Sequence, residues 1–455
     1  MNIPEMIAKA RAAQEIFESY TNEEIDNVLK AVAKIVYENS TMLGTEAYEE
    51  TKMGVLQNKI QKARNVPVVT YYFCKGQKAL GLIDVDTEKN MLIYAKPAGV
   101  AACITPSTNP IATPAGNCIS ALKSGNAVIV CPHPAAKKCT KHTIDLMRQA
   151  LESVGAPADL LQVVEEPTTA ISGEVMKACD VVMATGGKGM VTAAYSSGTP
   201  AIGVGQGNVQ CLICDDFDNI DLATSKIIYN REFDDGVPCT GDQTVYIPAS
   251  REAEILASFE KNGAVIVDKP EDVAKIRDFA FQNGILNRAI VGKSAQTVAK
   301  LTDLPCEVAP EKKILLVKLE SPYDREDPLN REVLCPVLRY RVYESFEDAV
   351  KTAVTNLKIE GAGHSSNIWS NDQEKVRYAG SKLPVGRLIV NSANINAGGT
   401  TFATGLDPTI TIGCGFWGGN SISENLTFRH LRNYTRVAYP LTGRVVPPAD
   451  ELFAD

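Results

Sequence analysis

At 455 residues the chain is long enough for two to three domains of ordinary size, and its 45% hydrophobic content can fill large cores without help from disulfides or metal. The net charge of −8 argues against a nucleic-acid binder, which carries a basic domain or stripe. The longest apolar runs, 98–104 and 127–131, are far too short to span a bilayer, so no membrane partner is expected.

Residues 1–79 read as helical. Ile3, Ile7, Ala10, Ala13 and Phe17 recur near the helical period. Thr21-Asn22-Glu23-Glu24 is a capping box, and the helix after it carries Ile25, Val28, Leu29, Val32 and Val36 on one stripe. Segments 81–85 and 91–95 read as strands around the polar turn 86–90. This predicts a hairpin arm of the kind that joins protomers, hence a homodimer or higher homo-oligomer. From Ala98 short apolar strands (100–104, 127–131, 161–164, 181–184) alternate with amphipathic helices (one ending at 122, then 140–154 and 170–179). Continuous Val/Ile runs between helices predict a parallel sheet covered on both faces, a nucleotide-binding type of architecture. A second region follows from about residue 207, with strands at 244–247, 264–267, 314–317 and 388–391 and helices at 252–262, 271–282 and 346–356. The expected division is a cofactor domain at 1–79 and 99–206, an oligomerisation arm at 80–98 and 436–455, and a catalytic domain at 207–435.

Twelve cysteines are scattered along the chain. With no secretory h-region in the first residues they are expected as reduced thiols of a cytoplasmic protein, most of them small core residues. Cys211 and Cys214 form a C-x-x-C inside the apolar run 209–214, where strand residues three apart point to opposite faces. No second pair or nearby His completes a metal site, and none is expected.

Two glycine-rich segments differ in meaning. Gly413-Cys-Gly415-Phe-Trp-Gly418 matches G-x-G-x-x-G, yet no strand–helix–strand unit with a trailing acidic residue follows it. Thr185-Gly186-Gly187-Lys188-Gly189 leaves a strand and enters a helix, which suits either a phosphate cradle at a helix start or a tight turn.

Cys239 sits in Phe233-Asp-Asp-Gly236-Val-Pro238-Cys239-Thr240-Gly241, a polar loop just before a strand, unlike most of the other cysteines, which lie in apolar runs. Scaffold-held loops carry catalytic groups, and a thiolate is a strong nucleophile toward carbonyl carbon. From position alone both a catalytic and a structural role stay open.

The motifs Thr105-Pro106-Ser107-Thr108-Asn109-Pro110, Gly236-Val-Pro-Cys239, Glu332-Val-Leu334-Cys-Pro336 and Gly413-Cys-Gly-Phe-Trp-Gly-Gly-Asn420 fall in the order and spacing of the aldehyde dehydrogenases, and the resemblance covers nearly the whole chain. In detail it resembles the CoA-acylating branch, which includes the aldehyde domain of the bifunctional alcohol/aldehyde dehydrogenases. Val130-Cys-Pro132-His133-Pro134-Ala-Ala136-Lys137, Arg377-Tyr-Ala-Gly380 and Ser421-Ile-Ser-Glu424-Asn425-Leu426 are most similar to the CoA-dependent succinate-semialdehyde dehydrogenases. The resemblance implies an α/β aldehyde dehydrogenase-like fold: a Rossmann-type cofactor domain, an α/β catalytic domain and a small oligomerisation hairpin. It implies a reversible interconversion of an aldehyde and its acyl-CoA with NAD or NADP, most readily succinate semialdehyde and succinyl-CoA. Acetaldehyde, propanal, butanal and sulfoacetaldehyde stand as alternatives, with a hydrolytic aldehyde dehydrogenase, a glutamyl-phosphate reductase and a non-catalytic protein of the same fold as rivals.

By this resemblance Cys239 is the nucleophile, and Asn109, otherwise a loop Asn before Pro, donates to the oxyanion together with the Cys239 amide. Glu332 would hold the nicotinamide ribose, with Thr105, Pro106, Ser107, Gly186, Gly187, Gly205 and Leu334 also at the cofactor. Hydrolytic relatives carry a glutamate in Glu-Leu-Gly-Gly that activates water; the matching stretch here is Gly203-Val204-Gly205-Gln206-Gly207-Asn208, and a glycine cannot act as a base. The missing base points to a thiol acceptor, because thiolates are more nucleophilic than water at neutral pH. At the adenosine end the positions that favour NAD in relatives read His133 and Ala136, next to Pro134, Lys137 and Lys138, so NAD and NADP both stay open. His133 also suits a simple cap. Ser107, Thr108, Thr240, Gly241, Asp242 and Asn394 are the expected pocket residues, polar enough for a carboxylate-bearing aldehyde. His364, after flexible glycines, resembles the branch's Gly-His-Thr segment and is expected either at the site or in a structural role. His142 and His430 are expected in amphipathic helices.

Overall fold

The computed structural model describes residues 2–305, 308–319, 323–443 and 445–454; Cys306 lies outside them. Two capping boxes set the first helices. Asn2 and Glu5 close one over Ile3–Phe17, and Thr21 and Glu24 close the expected one over Asn22–Glu38, whose Ile25, Val28, Leu29, Val32 and Val36 are all buried. Helices Ser40–Thr51 and Leu56–Cys74 complete the N-terminal layer.

Four sheets follow among the described residues. β1 (Gly81–Asp86) and β2 (Met91–Pro97) form the antiparallel arm. Next come β3 (Val100–Ile104), β4 (Ala127–Cys131), β5 (Leu161–Val163), β6 (Val181–Thr185) and β7 (Ala201–Val204), all parallel in the order β5-β4-β3-β6-β7. β3 and β4 are buried along their whole length because helices cover both faces. The remaining strands are β8 (Val209–Ile213), β9 (Asp242–Pro248), β10 (Ala264–Val267), the small pair β11 (Phe281–Gln282) and β12 (Ile285–Leu286), β13 (Ile314–Lys318), β14 (Val337–Tyr343), β15 (Ser366–Trp369), β16 (Leu388–Val390) and β17 (Arg432–Ala438). A second, wholly parallel sheet runs β10-β13-β14-β9-β8-β15-β16. β17 returns to β2 and makes the arm three-stranded from Arg432 onward, ahead of the expected 436.

Cys211 packs in the cluster around Ile227, Ile247 and Trp369, whereas Cys214 packs in the cluster around Ala353 and Ile368, so the C-x-x-C does straddle the sheet. The 413–418 segment is a loop ending in the short turn Phe416–Gly418, not a nucleotide fingerprint. His142 lies in helix Lys137–Ser153 beside Glu46. His430 differs from expectation: it ends the short turn Phe428–His430, where its Nδ1 accepts from the Thr427 amide and closes the turn.

Between the carboxyl ends of the first sheet and the amino ends of the second, loops meet. Residues 105–109 leave β3, 205–208 join β7 to β8, and 233–241 lead into β9. Asn420 ties the two halves by donating to the Gly203 carbonyl.

Candidate active site

The Cys239 loop turns sharply because Asp234, Asp235 and Gly236 all adopt positive φ (52°, 51° and 70°). Gly236 is required there: a Cβ would stand 2.5 Å from the Cys335 carbonyl carbon. The turn brings half-buried Cys239 to fully buried His364, whose Nε2 lies 3.1 Å from Cys239 Sγ. His364 Nδ1 meets Ser365 Oγ at 2.9 Å, and Asn394 donates to Ser365 Oγ and to the Thr240 carbonyl, each at 2.9 Å. Arg387 sits behind them, donating to the carbonyls of His364, Gly413 and Ser423 and to Asn425 Oδ1.

These surroundings keep the pair neutral. Burial, with the Glu332 carboxylate adding, pushes the Cys239 thiol up to about 12. Burial, with the Arg387 cation adding, lowers His364 to about 3. A neutral thiol and a neutral imidazole thus stand in hydrogen-bond reach of each other.

Asn109 lies half-buried on the loop after β3, and its Oδ1 accepts from Lys62 of helix Leu56–Cys74. The amide nitrogen is left to donate elsewhere. Ser107 and Thr108 are half-buried on the same loop, and the Thr108 carbonyl accepts from Lys59 at 3.0 Å.

Glu332 is buried, and its Oε1 accepts from the Gly207 amide at 2.9 Å. Burial, with Glu360 adding, raises its carboxyl to about 8. Gly207 is itself needed for close packing, since a Cβ would fall 2.0 Å from the Cys239 carbonyl oxygen. Leu334 is half-buried, with its carbonyl taken by Gly292. Gly205 lies half-buried on the 205–208 loop, and Pro106 is half-buried beside Ser107.

Strand β3 has β4 and β5 on one side and β6 and β7 on the other, so the chain's direction of travel reverses between β3 and β6. Open α/β sheets bind ligands in the crevice at such a switch point. Thr105 follows β3 and Thr185 ends β6; both hydroxyls are buried without a hydrogen-bond partner. Gly186 and Gly187 lead from there into helix Lys188–Tyr195, whose first amides have no side-chain cap.

A family model described as the aldehyde dehydrogenase family matches residues 1–276. The chain belongs to that family. Among curated relatives, it is similar to a succinate-semialdehyde dehydrogenase (acetylating) from Clostridium kluyveri, at 42% identity over 100% of this chain and 99% of the relative. It is 41% identical to a sulfoacetaldehyde dehydrogenase from Acholeplasma sp, over 99% of this chain and 93% of that one. Among solved structures, an acetylating aldehyde dehydrogenase from Geobacillus thermoglucosidasius superposes with a TM-score of 0.92 at 34% identity, covering 98% of this chain and 97% of that one.

Against other aldehyde dehydrogenase expectations the geometry makes corrections. Asp242 is wholly buried at the start of β9, where Asn230 donates to its Oδ2 at 2.6 Å; it supports the loop from beneath instead of lining a pocket. Burial raises its carboxyl to about 7. Ala136 is also fully buried and offers no surface to a ribose. His133 caps the turn Pro134–Ala136, its Nδ1 accepting from the Ala135 amide at 3.1 Å, while Pro134 is exposed and Lys137 pairs with Glu166. Gly203 lies within β7 and not in a positive-φ turn; its amide donates to the Tyr195 hydroxyl at 2.8 Å. The sequence reading missed Lys59, Lys62, Asp234, Ser365 and Arg387. The signal for the lysines was present: positions 59, 62, 63, 66 and 70 recur at helical spacing on a mostly buried stripe. Among the described residues no group of three or more His, Cys, Asp or Glu is placed to hold a metal, and no helix is long and apolar enough to cross a membrane.

Proposed function

We propose that the chain interconverts an aldehyde and its acyl-CoA with NAD or NADP, through a thioester on Cys239. The observation that carries this reading is the 3.1 Å contact of Cys239 Sγ with His364 Nε2 on a chain with glycine at position 203. His364 takes the thiol proton as Cys239 attacks the aldehyde carbonyl, giving a thiohemiacetal. The Asn109 amide and the Cys239 N–H hold the oxyanion. NAD(P), held by the residues at the β3/β6 crevice, would supply the hydride acceptor that lets the thiohemiacetal become a thioester on Cys239. His364 passes the thiol proton on to solvent before the acceptor arrives; neutral again, it takes the proton of an incoming CoA thiol and returns it to the departing Cys239 thiolate, whereas Gly203 supplies no base for water.

The two unpartnered hydroxyls, Thr105 and Thr185, and the uncapped helix start after Gly186 and Gly187 fit a dinucleotide at the β3/β6 crevice. In this reading Glu332, Leu334, Gly205, Pro106 and Ser107 would meet the nicotinamide end of the cofactor. The arm built of β1, β2 and β17 is the proposed oligomer contact, with the sheet of β3–β7 as cofactor domain and the sheet of β8–β16 as catalytic domain.

Succinate semialdehyde is the preferred substrate, supported by the acetylating relative and by the polar, half-buried Ser107 and Thr108 on the loop after β3. Sulfoacetaldehyde is the second reading, supported by a relative of nearly equal identity. Thioester formation from each aldehyde, with acetaldehyde and butanal as controls, tests the choice. The preferred reading expects the highest kcat/KM on succinate semialdehyde, and a higher value on sulfoacetaldehyde overturns it.

A further inference from the structure

We infer that Lys62 is a positioning residue that fixes which way the Asn109 amide faces; the inference rests on the proposed function and deepens it. Lys62 Nζ donates to Asn109 Oδ1 and meets Asp234 Oδ2 at 2.5 Å. An ammonium carries donors only. It therefore accepts the amide oxygen as a neighbour and rejects the amide NH2, which would place donor against donor. An asparagine without such a neighbour can rotate by half a turn at little steric cost, since O and NH2 have nearly the same size. Rotated, Asn109 would offer its own oxygen to the developing oxyanion.

The ammonium is held in turn. Asp234 is fully buried, its Oδ1 accepts from the Val55 amide at 2.9 Å, and its Oδ2 takes both Lys62 and, at 2.8 Å, Lys59. Gly54 makes room, since a Cβ there would lie 2.0 Å from Asp234 Oδ1. Asp234 belongs to the same turn that delivers Cys239, so one carboxylate ties the nucleophile's loop to the oxyanion donor's loop through Lys62. Lys59 fastens the same loop by donating to the Thr108 carbonyl at 3.0 Å.

The test is the rate of the first cofactor-reduction burst without CoA, on full-length protein saturated with NAD(P). Removing an oxyanion donor costs about 10²–10³-fold, so Asn109→Ala is expected to lose that much. Lys62→Met is expected to lose at least tenfold while still folding cooperatively, with Lys59 left on Asp234, and binding reduced cofactor like wild type, and Lys62→Arg is expected to recover at least tenfold over Lys62→Met. The double variant Lys62→Met/Asn109→Ala is expected within threefold of Asn109→Ala, because Lys62 acts through that amide. A merely structural lysine would give multiplicative losses, and that result overturns the inference. So does a Lys62→Met burst within threefold of wild type. Should Lys62→Met not fold, Lys62→Gln carries the same comparison, since a neutral amide no longer enforces one orientation. A wild type without any burst overturns the proposed function together with this inference; a normal wild-type burst with an unaffected Lys62 variant overturns the inference alone.

Discussion

His364 Nε2 stands 3.1 Å from Cys239 Sγ, and both groups rest neutral, the thiol held up near 12 and the imidazole down near 3. The resting enzyme is therefore a thiol beside an imidazole, not a preformed ion pair. The share of Glu332 in raising the thiol grows only once that carboxyl, itself near 8, has ionised.

Alkylation of the free enzyme by iodoacetamide should accordingly be slow at pH 7 and rise about tenfold per pH unit up to about pH 10, following the thiolate fraction. His364→Ala should leave that profile nearly unchanged while slowing aldehyde-dependent cofactor reduction by about 10²–10⁴-fold. A plateau of alkylation below pH 8 would contradict the neutral-pair account.

Cys239→Ala should abolish aldehyde oxidation and leave reduced-cofactor binding and the folded state intact. Retained turnover above a few per cent on purified protein would move the nucleophile to Cys414 or Cys335, both buried nearby.

Asp242 holds its proton to a higher pH in the folded chain than in the unfolded one. Its carboxyl is raised from 3.8 to about 7 by burial. Folding is thus favoured by this group fully below the unfolded value, and the benefit is lost as pH climbs to about 7. Asp242→Asn removes the titration and keeps an oxygen for Asn230. The melting temperature of the variant relative to wild type should rise by roughly a few degrees between pH 5 and pH 8. Parallel curves for the two proteins would show that burial does not raise this carboxyl.

Ala136→Glu is expected to destabilise the protein without changing the NADP/NAD ratio, because the site is fully buried. A clean switch toward NAD at unchanged melting temperature would instead place residue 136 at the ribose.

Much of this was legible in the sequence where one physical demand dominated. The uninterrupted apolar runs of β3 and β4, the Thr21–Glu24 box and the opposite faces of Cys211 and Cys214 each follow from burial or from a local hydrogen bond. Cys239 and Asn109 stood out through motif order, and the structure gives both of them polar neighbours. Other features depend on contacts far along the chain. β14 was missed because Arg339 and Arg341 interrupt its apolar pattern, and both are buried, donating to Gln243 and Asn330. β15 is short and polar at its start, and β17 is defined only by its pairing with β2. Lys59 and Lys62 lie on a mostly buried helical stripe, but their partner Asp234 is far away in sequence, so their role shows only in the folded chain.

Gly203→Glu tests the missing base in place. A Cβ at this strand position would meet Val191 Cγ1 at 3.0 Å and Tyr195 Cε2 at 3.1 Å. The variant should lose stability by disturbing the Tyr195 hydroxyl that accepts from the Gly203 amide, and should form little free acid. Efficient hydrolysis with an unchanged melting temperature would show that the glycine alone separates the two chemistries.

The central claim, a Cys239 thioester that waits for a thiol, is tested most directly by mixing enzyme, aldehyde and excess NAD(P) without CoA. One burst of reduced cofactor is expected, at most one equivalent per active site, followed by near silence until CoA restores turnover and yields acyl-CoA. Steady formation of free carboxylic acid in the absence of CoA would contradict it.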